Sequence, residues 1–167
     1  MIIFLLNSLI LLSFSLAEAQ QAIFLVRHAE QSVETGDPEL TEAGKKRAQA
    51  LASVLKDAGI NVIYTTERRR AIQTAEPLEK SLNIESSRLP LQDVDGLVAR
   101  LRDQRAQDRI LVVSHSLALP RIMKGLGYPE EISIPLHDYD NLFVLVPKSD
   151  GSPSLLRLRY YAPPIVR

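Results

Sequence analysis

Ala22-Ile-Phe-Leu-Val-Arg27-His28 and Ile110-Leu-Val-Val-Ser114-His115 are the two stretches that decide how this chain is read. Each is an apolar run that ends in a histidine, and the chain has only three histidines. Four or five consecutive apolar residues predict a strand covered on both faces, and hence a parallel sheet between helices. Ligands of such sheets bind beyond the carboxyl ends of the strands. Both imidazoles are therefore expected at one crevice, with Arg27 beside the first.

The segments around these runs fill in the rest. Thr41 predicts a helix N-cap and Gly59 the terminating residue, with Gly44, Ala48, Leu51, Ala52 and Leu55 as one core-facing stripe. Lys45, Lys46 and Arg47 are expected on the solvated face of that helix. Asn61-Val-Ile-Tyr-Thr65 predicts a second strand. A helix follows from about Glu67, burying Ala71, Ile72, Ala75, Leu78 and Leu82, with a kink or break expected at Pro77. Asp93 opens a third helix over Val94, Leu97, Val98 and Leu101, where capping is its commonest use. After the strand Arg109 to Val113 comes a helix ending near Gly127, which tolerates Pro120 only in its first turn. From Ile132 the pattern turns to strands, Asn141 to Val146 and Leu155 to Tyr161, joined by a turn over Pro147 to Pro153. Residues 30–40 and 85–92 read as rim loops. The expected fold class is α/β: a three-layer α/β/α sandwich with a mostly parallel sheet and antiparallel edge strands.

Met1 to Leu16 is largely apolar, and Ala17-Glu18-Ala19 carries small residues where a signal peptidase needs them. Residues 1–19 are thus expected to be a signal peptide, with residues 20–167 exported to the periplasm or medium as one domain. The apolar run falls short of the about 20 uninterrupted residues of a membrane span. There is no cysteine, so neither disulfide nor thiolate chemistry is available. Lys plus Arg (20) balance Asp plus Glu (20), which argues against a nucleic-acid footprint. Any positive field must be local.

Arginine beside two strand-end histidines is equipment for phosphate. A guanidinium grips phosphate oxygens with paired, charge-assisted hydrogen bonds. A neutral imidazole can attack phosphorus and carry the phosphoryl group covalently. A second imidazole, once protonated, can donate to the oxygens that gather charge during transfer.

Four motifs in order extend that reading. Leu25-Val-Arg27-His28-Ala-Glu30 resembles the Arg-His-Gly signature of the histidine phosphatase superfamily, the phosphoglycerate-mutase-like proteins. Leu40-Thr41-Glu-Ala-Gly44 is similar to its Leu-Thr-x-x-Gly helix start, and Arg70-Ala71-Ile-Gln73-Thr74-Ala75 to its Arg-Ala-x-Gln-Thr-Ala segment. Ser114-His115-Ser116 stands where the superfamily has Gly-His. The chain lacks room for the helical insertions of phytase-like relatives, and so resembles the compact branch that includes bacterial phosphohistidine phosphatases.

The resemblance implies a metal-independent, cofactor-free phosphatase, with a small phosphorylated substrate and a phosphohistidine intermediate at His28. It implies a phosphate pocket of Arg27, Arg70 and His115, with the Ser116 backbone N–H adding a donor. Arg68 and Arg69 are expected to be solvated. A phosphate-binding module without turnover on the same fold is the alternative. Two departures bear on this. Ala29 replaces the signature glycine, which requires a negative φ there. The acid that protonates the leaving group in many relatives has no matching segment, leaving Glu30, Asp93, Asp138 or none. His137 reads as structural or as a rim residue. A metal site built from His28, His115, His137 and an aspartate would set Arg27 and Arg70 against the cation. The sequence carries no reading of oligomeric state.

Overall fold

The computed structural model describes residues 22–148, 150 and 152–161. The expected signal peptide lies outside the described residues. The elements are β1 (Ala22–Arg27), α1 (Glu42–Leu55), β2 (Val62–Thr66), α2 (Arg69–Leu82), β3 (Ser87–Leu89), α3 (Val94–Arg102), β4 (Arg109–Ser114), α4 (Ala118–Gly125), β5 (Asn141–Pro147) and β6 (Pro153–Arg159). One six-stranded sheet runs β3-β2-β4-β1-β5-β6. The first four strands in that order are parallel, and β5 and β6 form an antiparallel hairpin at one edge.

Alternation along the strands sorts the core into two layers. Ile23, Leu25, Ile110, Val112, Phe143 and Leu145 pack against α3 and α4. Val26, Ile63, Leu111, Val113 and Leu142 pack against α1 and α2. The three-layer α/β/α sandwich read from the sequence is the fold observed.

Several local expectations hold. Thr41 caps α1, its Oγ1 accepting from Gly44 N–H at 3.1 Å. Asp93 caps α3, accepting from Gly96 N–H at 3.0 Å. Pro120 falls in the first turn of α4. Gly127 adopts φ +92°, closing the turn after that helix. Gly44 has a further reason to be glycine: a Cβ there would lie 2.2 Å from the Glu30 carbonyl oxygen.

Others need correction. Helix α1 ends at Leu55, and Gly59 (φ +72°) closes a turn beyond it rather than the helix itself. Helix α2 runs unbroken through Pro77. Residues 85–92 are not all loop, because Ser87–Leu89 pair with β2 as the parallel edge strand β3. Residues 132–140 form a loop, and strands resume only at Asn141. Most consequentially, Arg47 is not solvated: it is 4% exposed. Its Nε donates to the Glu30 carboxylate at 2.9 and 3.0 Å, and its Nη2 adds a bond of 2.6 Å. Its Nη1 reaches the Tyr161 carbonyl at 2.7 Å.

Burial opposes ionisation of Glu30, but the hydrogen bonds and charge of Arg47, a backbone hydrogen bond and the charge of Arg27 together outweigh it and hold the carboxyl below its usual range. That pairing stabilises the fold above the ordinary carboxylate pKa, and is lost as pH falls through the depressed value. Arg47→Met strands the carboxylate. It is expected to destabilise the protein by about 2–3 kcal/mol at pH 7, the scale of hydrogen bonds to a charged group. The difference in melting temperature between the two proteins should narrow on acidification. A difference independent of pH would mean that the ion pair is not what Arg47 contributes.

Candidate active site

Strand register brings the two histidines together. In the parallel β1–β4 ladder Arg27 stands opposite Ser114. The His28 N–H then donates to the Ser114 carbonyl at 2.9 Å, one step past the end of the strand. His28 and His115 thus leave adjacent strand ends, with ring centroids 5.0 Å apart and planes inclined by 57°.

The hydrogen bonds fix how each ring carries its protons. His28 Nδ1 lies 2.8 Å from the Ala29 carbonyl, which can only accept. Nδ1 therefore holds the hydrogen, and in the neutral ring Nε2 keeps the lone pair. His115 Nδ1 is 3.4 Å from Arg70 Nη2, which can only donate. Its Nε2 is 2.9 Å from Thr66 Oγ1, so the neutral ring carries hydrogen on Nε2. Burial lowers the His28 pKa to about 4, with Arg27 and Arg70 adding to the effect and the Ala29 bond opposing it. Burial likewise lowers the His115 pKa to about 3, helped by His28, Arg70 and Arg27. Both rings are neutral at physiological pH.

Two guanidiniums complete the cluster. Arg27 is buried, its Nη1 donating to the Leu136 carbonyl at 2.5 Å and lying 3.4 Å from that of Pro135. Its guanidinium sits 4.0 Å from the centroid of the Tyr139 ring. Arg70, in the first turn of α2, faces Asp37 at 3.6 Å. The Nε of each arginine is buried and finds no hydrogen-bond partner among the described residues. Buried donors of that kind are costly unless something accepts from them.

Thr74 ties the two halves together. Its Oγ1 accepts from Ala29 N–H at 2.9 Å and donates to the Arg70 carbonyl at 2.6 Å. Gln73 Oε1 accepts from Leu40 N–H at 2.8 Å. The Arg70-Ala-x-Gln73-Thr74 run therefore sets both the loop after β1 and the helix that carries Arg70. Ala29 itself is fully buried. Among the described residues the only positive φ outside glycine is that of Asn83, so alanine fits at position 29 without strain.

An open cleft of about 460 Å³ lies over this cluster, lined by Arg27, His28, Arg70, His115 and Ser116. Its lining also includes Gln31, Leu91, Gln92, Val94, Leu117, Ala118 and Arg121, and no carboxylate among the described residues. All five sequence-derived site residues thus converge. The three candidate acids do not reach the cleft. Glu30 is held by Arg47, and Asp93 caps α3. Asp138 is paired with Arg159, whose hydrogen bond lowers its carboxyl to about 2. His137 is exposed on the loop before β5. Among the described residues no three potential metal ligands cluster, and no helix is long and apolar enough to cross a membrane. Arg69 is exposed as expected, while Arg68 is half-buried beside Glu67.

Sequence reasoning missed Thr66, Thr74, Tyr139 and Arg121. Only Thr74 carried a signal, through its place in a quoted motif.

Comparison with known proteins agrees with this arrangement. The model of the histidine phosphatase superfamily (branch 1) matches residues 23–97. A 2,3-bisphosphoglycerate-dependent phosphoglycerate mutase of Streptomyces griseus is 40% identical over 70 residues. That match covers 36% of this chain, and the chain spans only 28% of the length of that relative. Among solved structures, the protein histidine phosphatase SixA complexed with tungstate superposes with a TM-score of 0.67 at 22% identity, over 83% of this chain and 96% of that one. The alpha-ribazole phosphatase from Shigella flexneri gives 0.66 at 18% identity, over 83% and 96%. The four motifs in order, the family model over residues 23–97 and the matching fold together support the histidine phosphatase superfamily as the one this chain resembles.

Proposed function

We propose that this protein is a metal-independent phosphatase that works through a phosphohistidine intermediate at His28. The observation that carries the reading is a pair of arginines, each with an unpartnered Nε, lining one cleft with two neutral imidazoles. Such donors suit a tetrahedral dianion, and few other ligands would satisfy them. In this reading Arg27 and Arg70 grip the phosphoryl oxygens, and the Ser116 N–H at the turn into α4 adds a donor.

The Ala29 carbonyl holds His28 so that Nε2 can attack phosphorus. The P–O or P–N bond breaks with its electron pair on the leaving group. Water then attacks the phosphohistidine, releasing phosphate and restoring the ring. His115 takes a proton from the substrate monoanion and donates to the phosphoryl oxygens as their charge grows. Because no carboxylate among the described residues lines the cleft, leaving groups that need little protonation are favoured: a phosphoramidate, or a phosphomonoester of an acidic alcohol. The SixA likeness supports the same substrate class. Retention of a phosphoglycerate between two half-reactions, as a mutase requires, has no evident segment to support it.

We further propose that residues 1–19 are removed on export. Their support is the apolar run and the Ala17-Glu18-Ala19 site. Sequencing the amino terminus of protein recovered from the periplasm or medium should read Gln20 first. An intact Met1 on a membrane-bound form would refute cleavage.

A rapid-quench experiment with 4-nitrophenyl phosphate tests the chemistry. A base-stable, acid-labile phosphoryl adduct on His28 is expected to form and turn over. His28→Ala should abolish both while preserving the folded signal by circular dichroism. Saturable phosphate binding without any adduct would instead support the non-catalytic module, which the missing carboxylate favours. Arg70→Lys should lower kcat/KM by a factor of ten or more, since a single ammonium cannot reproduce the planar fork.

The pH dependence is equally specific. A nucleophile whose pKa is lowered to about 4 stays neutral from pH 7 down to pH 5. After correction for substrate ionisation, kcat/KM should therefore lose its first proton-dependent tenfold below pH 4. An acid limb centred near 6.5 would contradict a desolvated His28.

A further inference from the structure

Resting on the phosphatase reading, a third arginine of the cleft has no task in phosphoryl transfer. Arg121 lines the same cleft as Arg27 and Arg70 but is exposed, and no hydrogen bond, ion pair or ring contact engages it among the described residues. It lies on α4 one turn beyond Ala118, about 5 Å further along the helix axis. Leu91, Val94, Leu117 and Ala118 give the same cleft an apolar lining in which Leu117 is 84% exposed, and Arg121 also borders a neighbouring pocket that holds Glu130 and Glu131, without an ion pair to either.

The electrostatics of the cleft make that position matter. Among the described residues its lining contains three guanidiniums and no carboxylate, in a chain whose formal charge is zero. Two guanidiniums and His115 suffice for one phosphoryl group. An unpaired arginine in a cleft that also has apolar lining is suited to a group that is neutral near phosphorus and anionic at its far end. A polar, uncharged leaving group would gain nothing from the apolar lining or from the charge. Arginine offers a planar fork to a carboxylate, which gives direction as well as attraction.

We propose that Arg121 is a specificity-determining residue that binds a second anionic group, a carboxylate, carried on the leaving group of the substrate. The favoured substrates are then phosphoryl compounds whose departing part joins an apolar or aromatic spacer to a terminal acid. Arg121 touches the part of the substrate that leaves, so its effect should fall on binding and on selectivity between leaving groups.

The test uses an isosteric pair, 4-carboxyphenyl phosphate and 4-carbamoylphenyl phosphate, which differ in the charge at the far end of the ring. The quantity read is the ratio of kcat/KM for the acid over the amide, compared between the wild-type protein, Arg121→Met and Arg121→Glu. Intrinsic differences between the two leaving groups cancel in that comparison. The ratio is expected to fall about tenfold in Arg121→Met and further in Arg121→Glu, mainly through KM for the acid. That fall should shrink as ionic strength rises. An equal loss on both substrates, or a ratio unmoved by either change, overturns the inference while leaving His28-dependent turnover in place. Absence of turnover with either substrate in the wild-type protein overturns the phosphatase reading, and this inference with it.

Discussion

The parallel ladder between β1 and β4 is the constraint on which the site rests. Its register places Arg27 opposite Ser114, and the added bond from His28 N–H to Ser114 O carries the pairing one residue further. A slip of one residue would send every side chain to the opposite face. It would bury Arg27 in an apolar layer and part the two rings. Because Leu25, Val26, Val112 and Val113 are each at most 1% exposed, that slip would also invert two packed cores. The hydrophobic pattern of two strands, rather than any contact within the cleft, therefore holds the imidazoles 5.0 Å apart.

Cations gathered by such a frame need partners, and backbone carbonyls supply much of what they need. Leu136 and Pro135 accept from Arg27, while Ala29 accepts from His28. The loop that carries the first two is tethered in turn. Asp138 and Asp140 both pair with Arg159 on β6, and Asp138 also faces Arg157 at 3.7 Å. An exposed ion pair contributes little alone, but a network of several charges has more weight. Here it fixes a loop without regular structure at the height where its carbonyls meet Arg27. The edge hairpin thereby shapes the pocket although it contributes no residue to its lining.

Much of this was legible before any coordinates. Alternate burial of β1 and β4, the Thr41 and Asp93 caps, and the convergence of Arg27, His28, Arg70, His115 and Ser116 all follow from short-range patterns. What escaped has physical reasons. Strand β3 is only Ser87–Leu89, two of its three residues are exposed, and its existence depends on pairing with Tyr64–Thr66. Nothing local encodes such a strand. Pro77 fits because one missing hydrogen bond does not outweigh the packing of Ala71, Ala75 and Leu78 on the sheet. Arg47 was readable in principle. It stands three residues after Gly44 and four before Leu51, on the buried stripe, and only its charge suggested water. No sequence pattern announced the partner that made its burial tolerable.

The Glu30–Arg47 pair also links segments far apart in the chain. Glu30 lies two residues after His28, Arg47 lies in α1, and the Tyr161 carbonyl ends the described chain. Losing either charge alone leaves the other uncompensated, Arg47 buried or Glu30 half-buried, whereas replacing both by apolar residues of similar size removes the penalty. The two positions are consequently epistatic: among descendants of this sequence they should change together or not at all, because every single-step route between viable pairs crosses a less stable ancestor.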